Sequence, residues 1–299
     1  LLYGSEKHSY KEMPIRFHEQ TPLHRNEASG VLGGLTRVRQ FSQDDGHCFL
    51  MESQIAGEVE ALLRLIQGIY EDFGLAYDAK LSTRPDKFIG DVATWDHAEA
   101  ALREALEKAG QPYTVNAGDG AFYGPKIDFD ITDALGRKWQ CGTIQLDYVA
   151  PERFHLKYVG ADNAEHRPVV IHRAIFGSFE RFIAILIEHF AGAFPLWLAP
   201  VQVSVLPIAD RHLDYAREVC AALDGAGLRA EVDDRQEKVN LKIREAQLQK
   251  LPYMLVVGDR EAAERTVAVR SRSKGDLGPR ALDRFVADAL AEVATKQLS

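Results

Sequence analysis

Cysteine is scarce in this sequence of 299 residues. Cys48, Cys141 and Cys220 lie far apart, form no C-x-x-C pair and are odd in number. A disulfide framework, or a zinc site built from four cysteines, requires more cysteines at closer spacings. The sequence therefore predicts reduced thiols rather than a disulfide-bonded secreted fold.

Long apolar runs are absent as well. No stretch approaches the roughly 18 to 20 apolar residues of a membrane span, and no basic, apolar, small-residue signal opens the chain. We therefore expect a cytoplasmic protein that does not enter a membrane. The chain begins at Leu1 and not at a methionine, so we expect further segments of the protein upstream of it.

An excess of basic residues is also lacking. The chain has 36 Lys and Arg against 44 Asp and Glu, a net charge of -8. Residues 200–299 hold 16 of each sign, so the acidic excess lies within residues 1–199. Because affinity for phosphate backbones comes from Lys and Arg, any contact with nucleic acid is expected from local patches.

The composition is that of a soluble globular protein with enough apolar residues for two cores, since 46% of the chain is hydrophobic and 27% is charged. The segment 191–200, AGAFPLWLAP, ends an apolar helical pattern with Gly192, Pro195 and Pro200. A strand pattern, VQVSVLPI, follows at once. We predict two domains, over residues 1–195 and 196–299.

The first domain combines strand patterns with amphipathic helices. MPIRFHEQ and QFSQDDGHCFL read as strands, and the runs KIDFDITDAL and RKWQCGTIQLDYV bracket a turn at Gly136 as in a hairpin. VVIHRAIFGSFERF predicts a strand, a turn at Gly177 and the start of a helix. Residues 52–73 predict a helix with one apolar stripe, formed by Ile55, Val59, Leu62, Leu63, Ile66 and Ile69. These patterns predict an α+β domain built on an antiparallel sheet.

The second domain alternates strand and helix patterns, which is typical of a small α/β domain with a mixed sheet. Strands are predicted over 201–208, 229–233, 252–257 and 266–271. Helices are predicted over 211–224, 239–249 and 279–295.

The run FSQDDGHCF has an unusual polar face. On a strand, Phe41, Gln43, Asp45 and His47 project to the same side. Buried polar groups each need a partner, so this set fits a binding pocket better than a core. A solvated outer face of an edge strand is the alternative interpretation, and the residues alone do not decide between the two.

Arginines surround the polar loop in LHRNEASGVLGGLTRVRQF. Arg25 and Glu27 precede the glycine-rich part, and Arg37 and Arg39 follow it. Arginine forks bind phosphate oxygens through two hydrogen bonds, so the pattern indicates two strands and a loop around an anion.

Two further cations lie in mostly apolar surroundings. Arg181, in GSFERF, needs either a carboxylate of the protein or a bound anion as its partner. Lys126, in GPKID, has the same two possibilities, a phosphate or Asp128. Helix N-termini favour anions, and Arg181 lies in the first turn of a predicted helix.

His47 and His172 both lie in strand patterns. Their separation is not a short metal-binding spacing, and a single histidine in such a place is more often a satisfied core residue than a zinc ligand. Both interpretations stay open at this level.

Taken together, these segments resemble a known family. HRNEASG with RVRQFSQDDGH resembles motif 2 of the class II aminoacyl-tRNA synthetases, and GSFERF resembles motif 3. AFYGPKIDF, WQCGTIQLDY, YVGADN and VVIHRAIFGSFERF are similar in order and spacing to threonyl-tRNA synthetases, over nearly the whole chain. The resemblance implies ATP-dependent ligation of L-threonine to tRNA(Thr) through threonyl adenylate, with Mg²⁺ bridging the phosphates of ATP.

The resemblance also implies roles for individual residues. The α-phosphate contacts Arg25, the adenine amino group contacts Glu27, the terminal phosphates contact Arg37, and the adenine ring stacks on Phe41. Arg181 contacts the phosphates and Lys126 stabilises the charge that develops at phosphorus. Further nucleotide contacts fall on Gln140, Thr143 and Ser178.

In this family a zinc ion holds the amino and hydroxyl groups of threonine, and the matching ligands are His47 and His172. Residues around the amino acid match Gln43, Asp45, Tyr123 and Gln145, with Asp45 accepting from the hydroxyl. The third zinc ligand of the family is a cysteine in a segment resembling NCPGH, expected just before Leu1 and matched by neither Cys48 nor Cys141. We therefore expect an N-terminally truncated part of a longer, homodimeric enzyme.

The last hundred residues resemble an anticodon-binding domain. Glu261 and Arg270 fall on matching positions, and Gln236 stands where the family often has asparagine. Side chains available to nearby phosphates are Lys238, Arg244, Arg272 and Lys274, although each is also compatible with a solvated surface charge.

Two rival functions remain. A prolyl-tRNA synthetase has a similar C-terminal domain but needs no pair of zinc-binding histidines beside its amino acid. A non-catalytic RNA-binding paralogue has no need of the nucleotide-binding set Arg25, Phe41, Lys126 and Arg181.

Overall fold

The computed structural model describes residues 1–298. The chain forms two compact units that divide between Ile185 and Leu186. The predicted boundary between residues 195 and 196 lies somewhat later in the chain and stays a prediction.

The first unit contains twelve strands within the described residues. They are β1 (His8–Ser9), β2 (Ile15–Glu19), β3 (Pro22–His24), β4 (Gln40–Ser42), β5 (Asp45–Leu50), β6 (Tyr77–Ser82), β7 (Tyr113–Asn116), β8 (Lys126–Thr132), β9 (Lys138–Asp147), β10 (Tyr158–Val159), β11 (Glu165–His166) and β12 (Val169–Ala174). The helices that accompany them are α1 (Ile55–Asp72), α2 (Val92–Lys108), α3 (Val149–Arg153) and α4 (Phe179–His189).

The main sheet of this unit has the strand order β2-β5-β12-β9-β8-β6-β7. All its neighbouring strands run antiparallel except β6 and β7 at one edge. Strands β3 and β4 form a separate antiparallel ribbon. The predicted α+β domain on an antiparallel sheet is therefore confirmed.

Helix α1 covers the sheet through the apolar stripe that its sequence predicts, with one difference. Tyr70 completes the buried face, and Ile69 is only partly buried. The Tyr70 hydroxyl donates to the carbonyl oxygen of Ile175 at 2.7 Å, so the buried phenol is satisfied. Helix α2, which the sequence patterns did not single out, buries a second face with Trp95 and Leu102.

The turn between β12 and α4 requires glycine at position 177. Its φ is +70°, and a Cβ there would lie 2.6 Å from the carbonyl oxygen of Cys141. Both conditions penalise any other residue, because the left-handed region strains an L side chain and the opposing atom belongs to the backbone. The turn brings the start of α4 against β9.

Replacing Gly177 with alanine is expected to lower the free energy of unfolding by about 3 kcal/mol. Chemical denaturation in urea measures it. The matched control is Gly68→Ala in α1, where a Cβ meets no described atom within 4 Å. Helix propensity predicts that this control raises stability by about 1 kcal/mol. Equal effects of the two substitutions would contradict the account of the turn.

The second unit contains five further strands within the described residues, namely β13 (Val203–Pro207), β14 (Ala230–Val232), β15 (Tyr253–Val257), β16 (Thr266–Ser271) and β17 (Gly275–Ala281). Its helices are α5 (Leu213–Gly225), α6 (Val239–Leu248), α7 (Asp259–Glu264) and α8 (Leu282–Ala294). The strand order is β14-β13-β15-β16-β17, parallel at β14, β13 and β15 and antiparallel beyond. The predicted α/β domain with a mixed sheet is confirmed.

Two elements of this unit differ from the sequence patterns. The last helix begins at Leu282 rather than at residue 279, because residues 275–281 form β17. Gly278 and Pro279 make the sequence of this strand look unlike a strand. Both residues are tolerated there because β17 lies at the edge of the sheet. The short helix α7 was not predicted either.

Cys48, Cys141 and Cys220 are free thiols, as predicted. Each helix among residues 1–298 is too short or too polar to cross a bilayer.

Candidate active site

One row of side chains crosses the main sheet. His47 on β5 lies opposite His172 on β12, His172 lies opposite Gln145 on β9, and Gln145 lies opposite Lys126 on β8. Directly opposed residues of antiparallel strands point to the same face. Strand register therefore brings together four residues that lie far apart in sequence.

A cavity of about 220 Å³ adjoins this row. It is lined by ten of the residues that the sequence analysis singled out, namely Arg25, Glu27, Arg37, Phe41, Gln43, Gln140, Thr143, Gln145, Ser178 and Arg181. Three guanidinium groups against one carboxylate make the charge of this lining positive. The structure thus brings the entire predicted nucleotide set together, apart from Lys126.

The ribbon of β3 and β4 supplies one wall of the cavity. The guanidinium carbon of Arg25 lies 5.1 Å from the centre of the Phe41 ring. Arg37 pairs with Glu27, whose Oε2 lies 3.0 Å from Nη2. Arg25 has no carboxylate within salt-bridge distance among residues 1–298, so its charge is available to a ligand.

Arg181 enters the cavity from the first turn of α4. Its Nε donates to the carbonyl oxygen of Thr36 at 2.8 Å, and its Nη1 donates to that of Gln140 at 2.7 Å. Its guanidinium carbon lies 5.7 Å from the centre of the Trp139 ring. Neutral carbonyls and an indole face hold the group in place, and within the described part of the chain no carboxylate neutralises it. Two partners were predicted for Arg181, a carboxylate of the protein and a bound anion. The described residues provide no such carboxylate, so the bound anion remains the candidate.

Trp139 itself is fixed by a buried carboxylate. Asp133 accepts from the indole Nε1 at 2.8 Å and from Nε of Arg137 at 2.6 Å. Arg137 lies over the same ring, with its guanidinium carbon 5.4 Å from the centre. The indole therefore contacts two guanidinium groups, and only Arg181 reaches the cavity lining.

The two histidines form the other end of the site. The ring centres of His47 and His172 are 4.7 Å apart, with the rings edge to face. His172 Nε2 lies 2.9 Å from Oδ2 of the buried Asp147, so this carboxylate fixes the ring orientation. The Asp45 carboxylate lies 3.8 Å from His47 Nδ1. The two imidazoles, which lie far apart in the sequence, are thus neighbours in the structure.

Tyr123 closes this end next to His172, with ring centres 5.5 Å apart. Its hydroxyl donates to Oε1 of Gln145. Burial, with help from the charges of Asp147 and Asp45, raises the pKa of Tyr123 to about 12. The phenol therefore stays protonated and acts as a donor.

The histidine pair could provide two of the protein ligands of a zinc ion. Burial lowers the pKa of His47 below its ordinary value, and the neighbouring His172 lowers it further. Neutral imidazoles are the form that binds metals, and a carboxylate behind one ring is the usual outer partner of such a ligand. Residues 1–298 contain no cluster of three His, Cys, Asp or Glu side chains suited to a metal, so a complete site needs a ligand beyond this pair.

The run FSQDDGHCF is not one continuous strand. It breaks after Ser42, and Asp44 turns inward to accept from the backbone N–H of Ile175 at 2.7 Å and of Phe176 at 3.0 Å. Arg173 Nη1 also donates to the Asp44 carboxylate at 3.2 Å. Phe41 on β4 and Gln43 within the break line the cavity, while Asp45 and His47 lie on β5 after it.

Lys126 pairs with Asp128, whose Oδ2 lies 2.9 Å from Nζ, and lies 3.5 Å from a carboxylate oxygen of Asp119. The protein pairing that the sequence left open is thus present. The buried carboxylates Asp44 and Asp147 were not singled out from the sequence, and Asp128 was named only as a possible partner of Lys126. The one sign of these carboxylates in the sequence is an acidic residue within an otherwise apolar strand pattern.

The candidate tRNA-contacting residues lie at several places in the second unit. Glu261, in the first turn of α7, accepts from the N–H of Gly258 at 3.0 Å. Arg270 on β16 lies 3.2 Å from Asp276 and has a buried Nε without a hydrogen-bond partner in the described residues. Gln236, in the loop before α6, donates to Asp210 at 3.2 Å.

The four basic residues predicted to contact phosphates lie at different places in this unit. Lys238 is the N-cap residue of α6, without a capping hydrogen bond from its side chain, Arg244 lies on that helix, and Lys274 lies in the turn between β16 and β17. Arg272 donates to the carbonyl oxygens of Lys250 at 2.6 Å and of Phe194 at 2.9 Å. Its guanidinium group is therefore engaged within the second unit.

Comparison with known proteins agrees with this architecture. The family model of the tRNA synthetase class II core domain (G, H, P, S and T) matches residues 1–190, and that of the anticodon binding domain matches residues 202–292. The threonine-tRNA ligase of Clostridioides difficile (strain 630) is 54% identical over 99% of this chain and 46% of its own length. That of Myxococcus xanthus (strain DK1622) is 57% identical over 98% of this chain and 46% of its own length.

A solved structure is also similar. The crystal structure of the RNA binding domain of threonyl-tRNA synthetase from Cryptosporidium parvum Iowa II superposes with a TM-score of 0.93 at 43% identity, over 97% of this chain and 74% of that one. The chain spans about half the length of the curated relatives it matches. These matches confirm the resemblance predicted from the motifs. The chain therefore belongs to the threonyl-tRNA synthetase family of the class II aminoacyl-tRNA synthetases.

Proposed function

We propose that this chain carries the active site for ATP-dependent ligation of L-threonine to tRNA(Thr). The observation that supports this most strongly is the cavity lined by Arg25, Arg37 and Arg181, which adjoins the facing imidazoles of His47 and His172. A cluster of cations suits a triphosphate, and a pair of facing imidazoles suits a metal that recognises an amino acid.

In the first step, a carboxylate oxygen of threonine bonds to the α-phosphorus of ATP while the bond to the β-phosphate oxygen breaks and pyrophosphate leaves. Arg25 holds the α-phosphate, Arg181 contacts the phosphates of ATP, and Lys126 stabilises the charge that develops at phosphorus. In the second step, a hydroxyl oxygen of the terminal adenosine of tRNA bonds to the acyl carbon while the bond from that carbon to the phosphate oxygen breaks. AMP leaves, and the hydroxyl proton passes to a phosphate oxygen of the departing AMP. Most of the rate enhancement would come from positioning and from preorganised charge.

The rest of the cavity would hold the nucleotide. Phe41 stacks on the adenine ring, and Glu27 accepts from its amino group through the oxygen that Arg37 does not occupy. Arg37 reaches the terminal phosphates, which carry Mg²⁺. Additional contacts come from Gln140, Thr143 and Ser178.

His47 and His172 would hold zinc, with a cysteine outside this chain as the third protein ligand. A zinc ion held there would supply Lewis acidity for recognising the amino and hydroxyl groups of threonine, and valine has no hydroxyl. Asp45 accepts from that hydroxyl, while Gln43, Tyr123 and Gln145 orient the rest of the amino acid. A site built around a polar group rejects the isostere that lacks it far better than an apolar pocket does.

The second unit would read the anticodon through Glu261, Arg270 and Gln236. The side chain of Arg270 is 32% exposed, so its guanidinium group is accessible to a base, and Asp276 at 3.2 Å orients it. Lys238, Arg244 and Lys274 would contact phosphates, and the engagement of Arg272 makes it the weakest candidate. We also infer a cytoplasmic homodimer for the complete enzyme.

Threonine-dependent exchange of pyrophosphate into ATP tests the function. We expect the complete gene product that contains this sequence to support exchange with threonine, weakly with serine and not with valine or proline. If proline supports exchange and threonine does not, the proposed function is wrong and the chain carries the active site of a prolyl-tRNA synthetase. The absence of exchange with any amino acid, alongside intact tRNA binding, would favour the non-catalytic paralogue.

A further inference from the structure

A buried carboxylate lies directly behind the cavity without lining it. Asp128, on β8, is 3% exposed. Its Oδ1 accepts from Nε2 of Gln140 at 2.6 Å and from the hydroxyl of Thr143 at 3.2 Å. Its Oδ2 accepts from the hydroxyl of Ser82 at 2.7 Å and pairs with Nζ of Lys126 at 2.9 Å. A carboxylate has about four acceptor positions, and all four are used.

The donors to Asp128 also determine the direction of the hydrogen bonds at the amino-acid end of the site. Because the Thr143 hydroxyl donates to Asp128, its oxygen accepts from Nε2 of Gln145, at 3.2 Å. The amide oxygen of Gln145 is thereby left facing Tyr123, whose hydroxyl donates to it. Asp128 is the final acceptor of a chain of donors that begins at the Tyr123 hydroxyl and passes through Gln145 and Thr143.

We propose that Asp128 is the positioning residue that fixes the orientation of Lys126, Gln140 and Thr143 and, through Thr143, of Gln145. This inference rests on the proposed function and extends it to a residue that contacts neither substrate. Among side chains of this size, only an ionised carboxylate can accept a hydrogen bond at all four of these positions. An amide in its place aims two N–H groups at donors and reverses part of the chain.

Two other acidic residues provide matched controls. Asp130 lies on the same strand, is 7% exposed and pairs with Lys80 at 2.5 Å, with no contact to the cavity. Asp119 lies near the same Lys126, but its side chain is 59% exposed. The Asp130→Asn variant measures how far the kinetic constants change when any buried carboxylate on β8 is altered. The Asp119→Asn variant measures the effect of losing an exposed negative charge near Lys126.

The experiment compares Asp128→Asn with Asp130→Asn and Asp119→Asn in the complete gene product, by pyrophosphate exchange at varied ATP and threonine. Asp128→Asn is expected to lower kcat by about 30-fold and to raise the KM for threonine by about 10-fold, since leaving charged and polar donors unsatisfied is costly. Both controls are expected to stay within about twofold of the wild type in each constant.

Asp128→Asn kinetics that match those of Asp130→Asn would overturn the inference. If Asp128→Asn does not fold, Ser82→Ala decides, because it removes one donor to Oδ2 and leaves the carboxylate in place. An unchanged kcat in that variant would overturn the inference, and a fall of about threefold at unchanged stability would support it. A wild-type protein without threonine-dependent exchange would instead remove the proposed function, and the inference with it.

Discussion

Replacing Arg181 with glutamine is expected to lower kcat/KM for ATP by about 10³-fold in threonine-dependent pyrophosphate exchange. The guanidinium group is held by two backbone carbonyls and the face of Trp139, with no carboxylate partner among residues 1–298. Its charge is therefore uncompensated until a phosphate binds. Glutamine keeps much of the side-chain volume and removes the charge, so folding should be preserved.

The control for this variant is Arg137→Gln. Arg137 contacts the same indole but is paired with Asp133 and does not line the cavity. We expect it to alter kcat/KM by less than about threefold, since its charge is already satisfied and partly exposed. Comparable losses in the two variants would mean that Arg181 acts by supporting Trp139 and not by binding phosphate.

Replacing His172 with alanine is expected to remove bound zinc and to reduce the preference for threonine over valine by about 10²-fold or more. The pair of imidazoles offers two of the three protein ligands that such a site requires, so the loss of either leaves the ion too weakly held. Zinc content of the purified complete gene product and exchange rates with threonine and valine measure the two effects.

Two further variants separate zinc binding from other roles of histidine. His166, which pairs with Asp162 at 2.9 Å on an exposed hairpin, should tolerate alanine with zinc content unchanged. Asp147→Asn keeps both imidazoles but alters the partner of His172, and we expect zinc affinity to fall about 10-fold to 100-fold. Full zinc occupancy and unchanged selectivity in His172→Ala would reject the metal-recognition proposal.

The fold was largely predictable where local patterns dominate. The hairpin around Gly136, helix α1 and the turn at Gly177 follow from period, glycine placement and apolar stripes. Strand β17 was not predictable, because Gly278 and Pro279 are poor strand formers and only pairing with β16 keeps the segment extended. Tertiary pairing overrides propensity at that edge.

The site was predictable as a set of residue types and not as a geometry. The motifs pointed to Arg25, Arg181 and the two histidines, but only strand register places His47 opposite His172. Asp44 and Asp147 escaped notice because they accept from groups that are distant in the sequence. The donors to Asp44 are the N–H groups of Ile175 and Phe176, and His172 lies against Asp147.

The contact of Trp139 with two guanidinium groups has a practical consequence. Indole emission responds to the electric field across the ring, and neutralising the cation of Arg181 with a phosphate changes that field while the Arg137 side stays constant. The sequence contains three tryptophans, and exchanging Trp95 and Trp197 for phenylalanine leaves a single fluorophore beside the cavity. Nucleotide arrival could then be followed optically, in real time and without a label.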